Sequence, residues 1–388
     1  MKIALVHIRH AHSGGTERYL NHISRFLAER GHEVTIVCRS HVEPSHPKIR
    51  FAVLHGFAIG GAWRMKSFAQ SVEQHVRESS YDLVFGLGKT WTHDVVRMGG
   101  GLHGTYLKLA HDETLSTFDR ITGKGKSKQR LALEIEKRAF APGAVRRVIT
   151  NSKMVARDVA QQHSVPEEII DVVYNGVDLE RFDRPKHADA ARALRAECRF
   201  ADDDAVLLFL GTGYGRKGLD LVQAAFAKSA PQNARLLVVG FDSSRASFES
   251  RGAELGIRER SRFLGGRLDP EVCYAASDFY CLPTRYDPFA NSTLEALASG
   301  LPVITSDSNG GSELIERGVQ GDVVSVDGGS EALAAAIEPW FDAEKRAAGR
   351  AAARALAEQH DIESKLEQTE RVLLEVVKSG QTLQALGK

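Results

Sequence analysis

Short apolar runs alternate along the chain with amphipathic segments in a regular order. KIALVHI (residues 2–8) and EVTIVC (33–38) have the length and β-branched content of buried strands. Between them, residues 17–30 place apolar side chains three and four positions apart, which predicts a helix. The alternation pauses over the charged segment 176–204 and resumes at AVLLFL (205–210). This order of elements predicts an α/β protein with parallel sheets.

The pause near residue 180 divides the pattern into two similar blocks. The 388 residues also exceed what one ordinary hydrophobic core accommodates. We therefore predict two Rossmann-like lobes, residues 1–180 and 181–360, with a ligand-binding cleft between them. Residues 361–388 are predicted to form a separate C-terminal helix.

Composition limits the environment of the protein. Hydrophobic residues make up 43% of the chain and charged residues 26%, as in soluble globular proteins. No apolar run approaches the roughly 18 residues of a membrane span, so the sequence predicts no transmembrane helix. The four cysteines show neither CxxC spacing nor a disulfide framework, which predicts reduced thiols and a cytoplasmic location.

The net charge of +1 conceals an uneven distribution of charge. Residues 1–187 contain 28 Lys and Arg against 20 Asp and Glu, whereas the remainder contains 23 against 30. The basic excess is concentrated in residues 120–147, and a solvated helix face would explain it. Near-neutral overall charge and the lack of a base-reading motif argue against nucleic acid as the partner. We predict instead a patch that meets an anionic membrane surface, formed by Lys124, Lys126, Lys128 and Arg130.

The segment RYDPFANSTLEALASG (285–300) follows one predicted strand and precedes another. Asn291 or Ser292 is expected to cap its helix, which leaves backbone N–H groups available to an anion. Asp287 precedes this turn and Glu295 lies one turn inside the helix, at the edge where α/β sheets bind ligands. An anion site between two hydroxyl-binding carboxylates suits a nucleoside diphosphate sugar. A purely structural role, in which the acids interact with the helix dipole, stays open.

The second block begins with the glycine-rich loop GTGYGRKG (211–218). Its glycines let the backbone approach a phosphate, and Arg216 and Lys217 add two cations that suit a departing diphosphate. Residues 213–218 also satisfy the G-x-G-x-x-G fingerprint of dinucleotide sites. An NAD(P)-dependent oxidoreductase is therefore the alternative function, although it leaves the segment 285–300 unexplained.

Three further sites follow predicted strands. Gly14 and Gly15 join the first strand to the first helix and permit a ligand to approach the backbone. His103 lies among glycines, where we expect its side chain to project without neighbours that bury it; His111 is the competing histidine. Arg267 follows two glycines, and a simple turn explains that loop equally well.

Taken together, these motifs resemble retaining GT-B glycosyltransferases of family 4, especially bacterial lipopolysaccharide-core glucosyltransferases. The resemblance covers about residues 1–330. It implies a GT-B fold whose last helix crosses back onto the first lobe. It also implies transfer of a hexose from a nucleotide sugar, UDP-glucose or similar, to a hydroxyl of a cell-envelope glycan or glycolipid. The reaction would retain the anomeric configuration and require no metal or other cofactor.

The resemblance assigns roles to individual residues. Asp287 would contact the donor sugar, Glu295 the ribose, and His103 the reacting face of the sugar, while Arg216 and Lys217 would neutralise the diphosphate. The family usually has Glu in place of Asp287 and Gly in place of Ala290, so a sugar-nucleotide-binding protein without turnover stays open. The expected nucleotide-sugar site comprises Gly14, Gly15, Gly213, Arg216, Lys217, Arg267, Asp287, Phe289, Ala290, Asn291, Ser292, Thr293 and Glu295.

Overall fold

A computed structural model describes residues 1–11, 14–56, 61–109 and 126–386, with side chains up to residue 380. His111 and Lys124 lie outside the described residues. The chain divides into two compact units. The first contains the described residues of Met1–Lys108, Leu115–Tyr174 and Glu363–Lys388, and the second those of Leu109–Thr114 and Asn175–Ile362.

The first unit is built on a seven-stranded parallel sheet with the order β3-β2-β1-β4-β5-β6-β7. Its strands are β1 (Lys2–Val6), β2 (Glu33–Cys38), β3 (Arg50–Val53), β4 (Leu83–Gly86), β5 (Val95–Met98), β6 (Arg147–Thr150) and β7 (Ile170–Val172). Its helices before the second unit are α1 (Gly15–Glu29), α2 (Gly61–Glu78), α3 (His103–Leu109), α4 (Lys126–Ala139) and α5 (Lys153–His163).

The second unit is built on a six-stranded parallel sheet with the order β10-β9-β8-β11-β12-β13. Its strands are β8 (Ala205–Leu210), β9 (Ala234–Val239), β10 (Ser261–Gly265), β11 (Phe279–Leu282), β12 (Val303–Ser306) and β13 (Gly321–Val324). Its helices are α6 (Ala188–Glu197), α7 (Tyr214–Lys217), α8 (Leu219–Ser229), α9 (Arg245–Glu254), α10 (Pro270–Ala275), α11 (Asn291–Ala298), α12 (Gly329–Ile337) and α13 (Ala343–Glu358).

Both sheets have Rossmann-like topology, which confirms the predicted fold class of each lobe. Strands such as β8 are apolar throughout and almost fully buried, because helices cover both faces of a parallel sheet. The strand order reverses between β1 and β4 in the first unit and between β8 and β11 in the second. In open α/β sheets such a reversal opens a crevice at the carboxyl ends of the strands, where ligands bind.

The last helix, α14 (Ile362–Leu386), packs on the first unit, as the resemblance implied. Glu370 on this helix forms an ion pair with Arg30 at 2.8 Å. Its other carboxylate oxygen lies 3.0 Å from the imidazole Nε2 of His32. Leu373 is fully buried there. Within the described residues, no helix is both long enough and apolar enough to cross a membrane.

The main division between the units falls between Tyr174 and Asn175, a few residues before the predicted position. The segment that follows belongs to the second unit because it is hydrogen-bonded there. Val177 forms a parallel bridge with Asp361, and the side chain of Asn175 donates to Asn291.

Candidate active site

The glycine-rich loop of the second unit follows β8 and leads into the short helix α7. Gly213 and Gly218 border this helix with φ angles of 81° and 79°, a left-handed conformation that glycine adopts readily. A Cβ atom on Gly218 would lie 2.2 Å from the carbonyl oxygen of Pro283. The loop after β8 and the loop after β11 therefore touch backbone to backbone, which only glycine permits.

Arg216 and Lys217 meet Asp287 at the point where the strand order reverses. The ammonium of Lys217 forms a close ion pair with Oδ2 of Asp287. Arg216 lies 3.5 Å from the same oxygen and donates to the carbonyl oxygen of Tyr286 at 3.1 Å. Oδ1 of Asp287 accepts the backbone N–H of Phe289 at 3.2 Å. The structure thus brings together two cations and one acid that the sequence predicted separately.

Burial and charge oppose each other at this ion pair. Burial by itself would raise the pKa of the Asp287 carboxyl, but Lys217, Arg216 and the Phe289 amide outweigh burial and lower it. The pKa of Lys217 is lowered because burial disfavours the ammonium more than Asp287 favours it. Asp287 is therefore an anion at neutral pH, held against two cations that also suit a phosphate group.

Helix α11 begins at Asn291, directly after this cluster, but its capping differs from the prediction. The N-cap position belongs to Ala290, whose side chain makes no capping hydrogen bond, so the prediction that Asn291 or Ser292 caps the helix is wrong. Both side chains accept hydrogen bonds from elsewhere: Asn291 from Asn175 at 2.6 Å, and Ser292 from the Tyr280 hydroxyl at 2.8 Å. The N–H groups of the first turn still point out of the helix toward its N-terminal end.

Asn309 organises this helix start and was missed in the sequence. Its side chain is fully buried and accepts the N–H of Ala290 at 3.0 Å. It also donates to the hydroxyls of Thr293 at 3.0 Å and Thr305 at 2.9 Å. The N–H of Asp287 donates to the Ser308 carbonyl at 2.9 Å, so the loop after β12 fixes the Asp287 backbone as well. An Asn in the loop that follows a strand, directly ahead of two glycines, was the signal that could have revealed it.

Glu295 is buried one turn inside α11. One of its carboxylate oxygens accepts the hydroxyl of Tyr274 at 2.9 Å. Burial, and then the charge of Glu295, raise the pKa of Tyr274 well above its usual range, so this tyrosine stays a donor. Tyr274 therefore fixes the orientation of the carboxylate that the resemblance assigns to the ribose.

Other predicted residues of the second unit occupy different surroundings. Phe289, Ala290 and Thr293 have buried side chains, so they support the helix start from within. Arg267 follows β10 and donates two hydrogen bonds to Asp269, at 2.9 and 2.7 Å. Arg267 is thus hydrogen-bonded within its own loop. The cluster around Asp287, in contrast, is built from the loops after β8 and β11.

His103 begins helix α3 of the first unit and is not surrounded by open space. Only 9% of the residue is exposed, so the expectation that it projects without burying neighbours is wrong. The reason is α4, which the glycine-rich sequence around His103 does not reveal. Gln129 on α4 hydrogen-bonds the imidazole Nε2, and Glu136 on the same helix accepts the His103 backbone N–H at 2.6 Å.

Gly14 lies at the N-cap of α1 with a φ of 108°, and Gly15 is the first residue of the helix. A Cβ atom on Gly14 would lie 2.1 Å from a carboxylate oxygen of Glu17. Glu17 in turn forms an ion pair with Arg9 at 2.6 Å. Gly14 thus leaves space for the ion pair between Glu17 and Arg9, which lies after β1, where the strand order of the first sheet reverses.

The described residues of the predicted membrane patch lie on α4. Lys126, Lys128 and Arg130 are all exposed there. Within the described residues, no group of three or more His, Cys, Asp or Glu side chains is arranged to hold a metal ion.

Comparison with known protein families gives a match for each half of the chain. Residues 13–181 match the family model "Glycosyltransferase Family 4", and residues 191–356 match "Glycosyl transferases group 1". Both models describe glycosyltransferases, so the oxidoreductase alternative is not supported.

Curated relatives and solved structures agree with these matches. The chain is 26% identical to the lipopolysaccharide glucosyltransferase WaaG of Escherichia coli over 304 residues, which are 76% of this chain and 77% of WaaG. It is 31% identical to an uncharacterized glycosyltransferase of Methanocaldococcus jannaschii over 177 residues, but this alignment spans only 45% of either protein.

Crystal structures of WaaG and of Anabaena HepE share the fold of this chain. A structure of WaaG superposes with a TM-score of 0.78 over 95% of this chain and 98% of that one, at 23% identity. Anabaena HepE in complex with UDP and glucose superposes with a TM-score of 0.70 over 96% and 99%, at 22% identity. Since the two family models together match most of its length, the chain belongs to the family 4 glycosyltransferases and has the GT-B fold.

Proposed function

We propose that the protein transfers a hexose from a nucleoside diphosphate sugar, UDP-glucose or similar, to a hydroxyl of a cell-envelope glycan or glycolipid such as lipopolysaccharide core. The observation that carries this proposal is the convergence of Arg216, Lys217 and Asp287 beside the first turn of α11. The relationship to WaaG, a lipopolysaccharide glucosyltransferase, supports the acceptor class. The similarity to HepE, solved with UDP-glucose, supports the donor class.

Arg216 and Lys217 supply what a departing nucleoside diphosphate requires. As the bond between the anomeric carbon and the phosphate oxygen breaks, negative charge grows on the diphosphate. Two fixed cations and the outward N–H groups of α11 stabilise that charge without reorganising at the moment of reaction. The Asp287 carboxylate keeps the Lys217 ammonium oriented, because the two groups form one buried ion pair.

The carboxylates select the donor in this proposal. Asp287 accepts hydrogen bonds from hydroxyls of the transferred sugar, and Glu295, oriented by Tyr274, accepts those of the ribose. His103 hydrogen-bonds the sugar near its reacting carbon. The role of each acid follows the family resemblance, and their ordered carboxylates support it.

The reaction proceeds with retention of configuration and without a metal ion in this proposal. The acceptor hydroxyl attacks the anomeric carbon from the side that the diphosphate leaves. The new glycosidic bond replaces the sugar–phosphate bond, and a diphosphate oxygen takes the hydroxyl proton. The cations of Arg216 and Lys217 perform the charge neutralisation that a metal ion performs in other transferases.

The donor class is tested by thermal unfolding in EDTA with UDP, UDP-glucose, GDP, ADP, NAD or NADP. A ligand at a hundred times its Kd stabilises the folded protein by about 2.7 kcal/mol, which gives a clear shift in Tm. We expect a shift with UDP and UDP-glucose and none with NAD or NADP. A shift with NAD or NADP alone contradicts the proposal, and one with UDP but no turnover of UDP-glucose indicates a binding protein.

A further inference from the structure

Two polar side chains hold the imidazole of His103 from opposite sides within the first unit. Nδ1 lies 3.1 Å from the ammonium nitrogen of Lys89, which follows β4. Nε2 faces the amide oxygen of Gln129 on α4. The ring also stacks on Tyr106, with 5.8 Å between the ring centres. These contacts fix both the plane of the imidazole and the partner of each nitrogen.

The chemistry of these partners allows one position for the imidazole proton. An ammonium group donates hydrogen bonds and cannot accept one, so Nδ1 must accept from Lys89. The neutral ring then carries its proton on Nε2, which matches the accepting oxygen of Gln129. A proton on Nδ1 would instead place two donors against each other and leave Nε2 and the Gln129 oxygen as facing acceptors.

The Glu136 carboxylate supports this arrangement. Burial lowers the pKa of Lys89, and the nearby Glu136 carboxylate opposes that effect, while Lys128 adds to it. Glu136 also accepts the backbone N–H of His103 at 2.6 Å and faces His163 at 3.5 Å. One carboxylate on α4 therefore fixes the backbone of the histidine and favours the charge of the lysine beside it.

We infer that Lys89 is a positioning residue that holds His103 as the Nε2–H tautomer, so that the imidazole presents a hydrogen-bond donor of fixed direction to the sugar. The inference rests on the proposed role of His103 in transfer. Without substrate, the amide oxygen of Gln129 accepts the hydrogen bond from Nε2–H. During the reaction a sugar oxygen replaces the Gln129 oxygen as the acceptor, or the two oxygens share the hydrogen bond.

The tautomer is measured directly by long-range proton–nitrogen NMR of protein labelled with ¹⁵N-histidine. A His103→Gln variant identifies the His103 signals by their loss. We expect the unmodified protein to show Nε2 protonated and Nδ1 unprotonated at neutral pH. An Nδ1–H signal pattern in the unmodified protein would overturn the inference, and this measurement needs no destabilising variant.

Variants of Lys89 supply the kinetic test. Lys89→Met removes the donor at similar length, so the NMR signals of His103 should become a mixture of tautomers. The value of kcat should fall on the order of tenfold to a hundredfold, with KM for the donor little changed. Lys89→Arg, which also only donates, should retain the Nε2–H tautomer and most of kcat.

Lys108→Met is the matched control, because Lys108 is exposed on the same helix as His103. It should leave both the spectrum and kcat unchanged. A His103 spectrum that is identical in Lys89→Met and in the unmodified protein overturns the inference. Unchanged turnover in His103→Ala would instead overturn the proposed role of His103, whatever its tautomer.

Discussion

Lys217 and Asp287 form a buried ion pair, so each side chain is both a chemical group and the support of the other. Lys217 is about as buried as a core residue, with only 10% of its side chain exposed. Removing one partner from such a pair leaves the other charge without compensation. Effects on chemistry and on stability must therefore be measured separately at this position.

We predict that Lys217→Ala lowers kcat far more than it raises KM for the donor. Removing one donor that stabilises a leaving group typically costs about 3–4 kcal/mol, which corresponds to a hundredfold or greater loss in kcat. Steady-state kinetics with UDP-glucose measures the change, and thermal unfolding shows whether the variant is folded. Lys228→Ala, an exposed lysine of the same unit, is the control. Near-full turnover in Lys217→Ala would remove this residue from the proposed mechanism.

Tyr274→Phe is expected to weaken donor binding while leaving kcat nearly unchanged. The variant removes the hydroxyl that orients Glu295 and keeps the aromatic ring in the core. A hydrogen bond to a charged group contributes about 1.5–3 kcal/mol, so the Kd for UDP should rise tenfold or more. Titration calorimetry measures it, with Tyr81→Phe in the first unit as the control. An unchanged Kd would mean that the Tyr274 hydroxyl does not support donor binding through Glu295.

Several residue contacts of the site could not be predicted from neighbouring sequence. The two acids and the basic pair were predicted because their chemistry is visible in short motifs. The cap of α11 and the burial of His103 depend instead on Asn309 and on α4, which are distant in sequence and reach these positions only through folding. Single-residue environments follow from tertiary contacts, which motif spacing does not contain.

At the scale of elements, the loops after β8 and β11 are joined by the contact of Gly218 with Pro283. We predict that Gly218→Ala destabilises the protein and abolishes UDP binding, because its Cβ would lie 2.2 Å from a carbonyl oxygen. Gly256→Ala is a matched control with a similar φ of 69° and no atom within 4 Å of the added Cβ. Left-handed strain alone costs about 1–2 kcal/mol, so urea unfolding should show a distinctly larger loss for Gly218→Ala. Equal losses would show that the contact between the loops is unimportant.

Helix α4 connects two features of the first unit. Its buried side presents Gln129 and Glu136 to His103, and its exposed side carries Lys126, Lys128 and Arg130. Gln129 and Glu136 are two helical turns apart and share a face, and Lys126 and Arg130 are four residues apart and share another, with Lys128 on the side opposite to those two. The sequence therefore predicted the basic residues of this helix, but it gave no sign of what its buried side contacts.

At the scale of the whole molecule, the exposed basic residues of α4 predict electrostatic attraction to an anionic membrane. We expect Lys126→Glu with Lys128→Glu to abolish binding to vesicles containing phosphatidylglycerol, since each basic residue near such a surface contributes about 1 kcal/mol. Co-sedimentation at low and high salt measures the effect. Arg251→Glu with Arg258→Glu makes the same change of charge on the second unit and should leave binding intact. Unchanged sedimentation of the α4 variant would rule out the patch.

The fold of each unit was the most predictable property of the molecule. Buried parallel strands must be apolar throughout and must alternate with crossover helices, so the pattern of the sequence records the topology directly. The exact point where one unit ends was less predictable. It depends on hydrogen bonds such as that between Asn175 and Asn291, which no local composition reveals.

The packing of α14 on the first unit determines the order in which the protein is completed during synthesis. A ribosome makes the strands of the first unit before those of the second, yet the first unit still lacks the helix that contains Leu373 and Glu370. The second unit can therefore assemble all of its elements while the first is still incomplete. The half of the chain that is made first is the last to be finished, and a nascent chain interrupted before α14 leaves part of the first core uncovered.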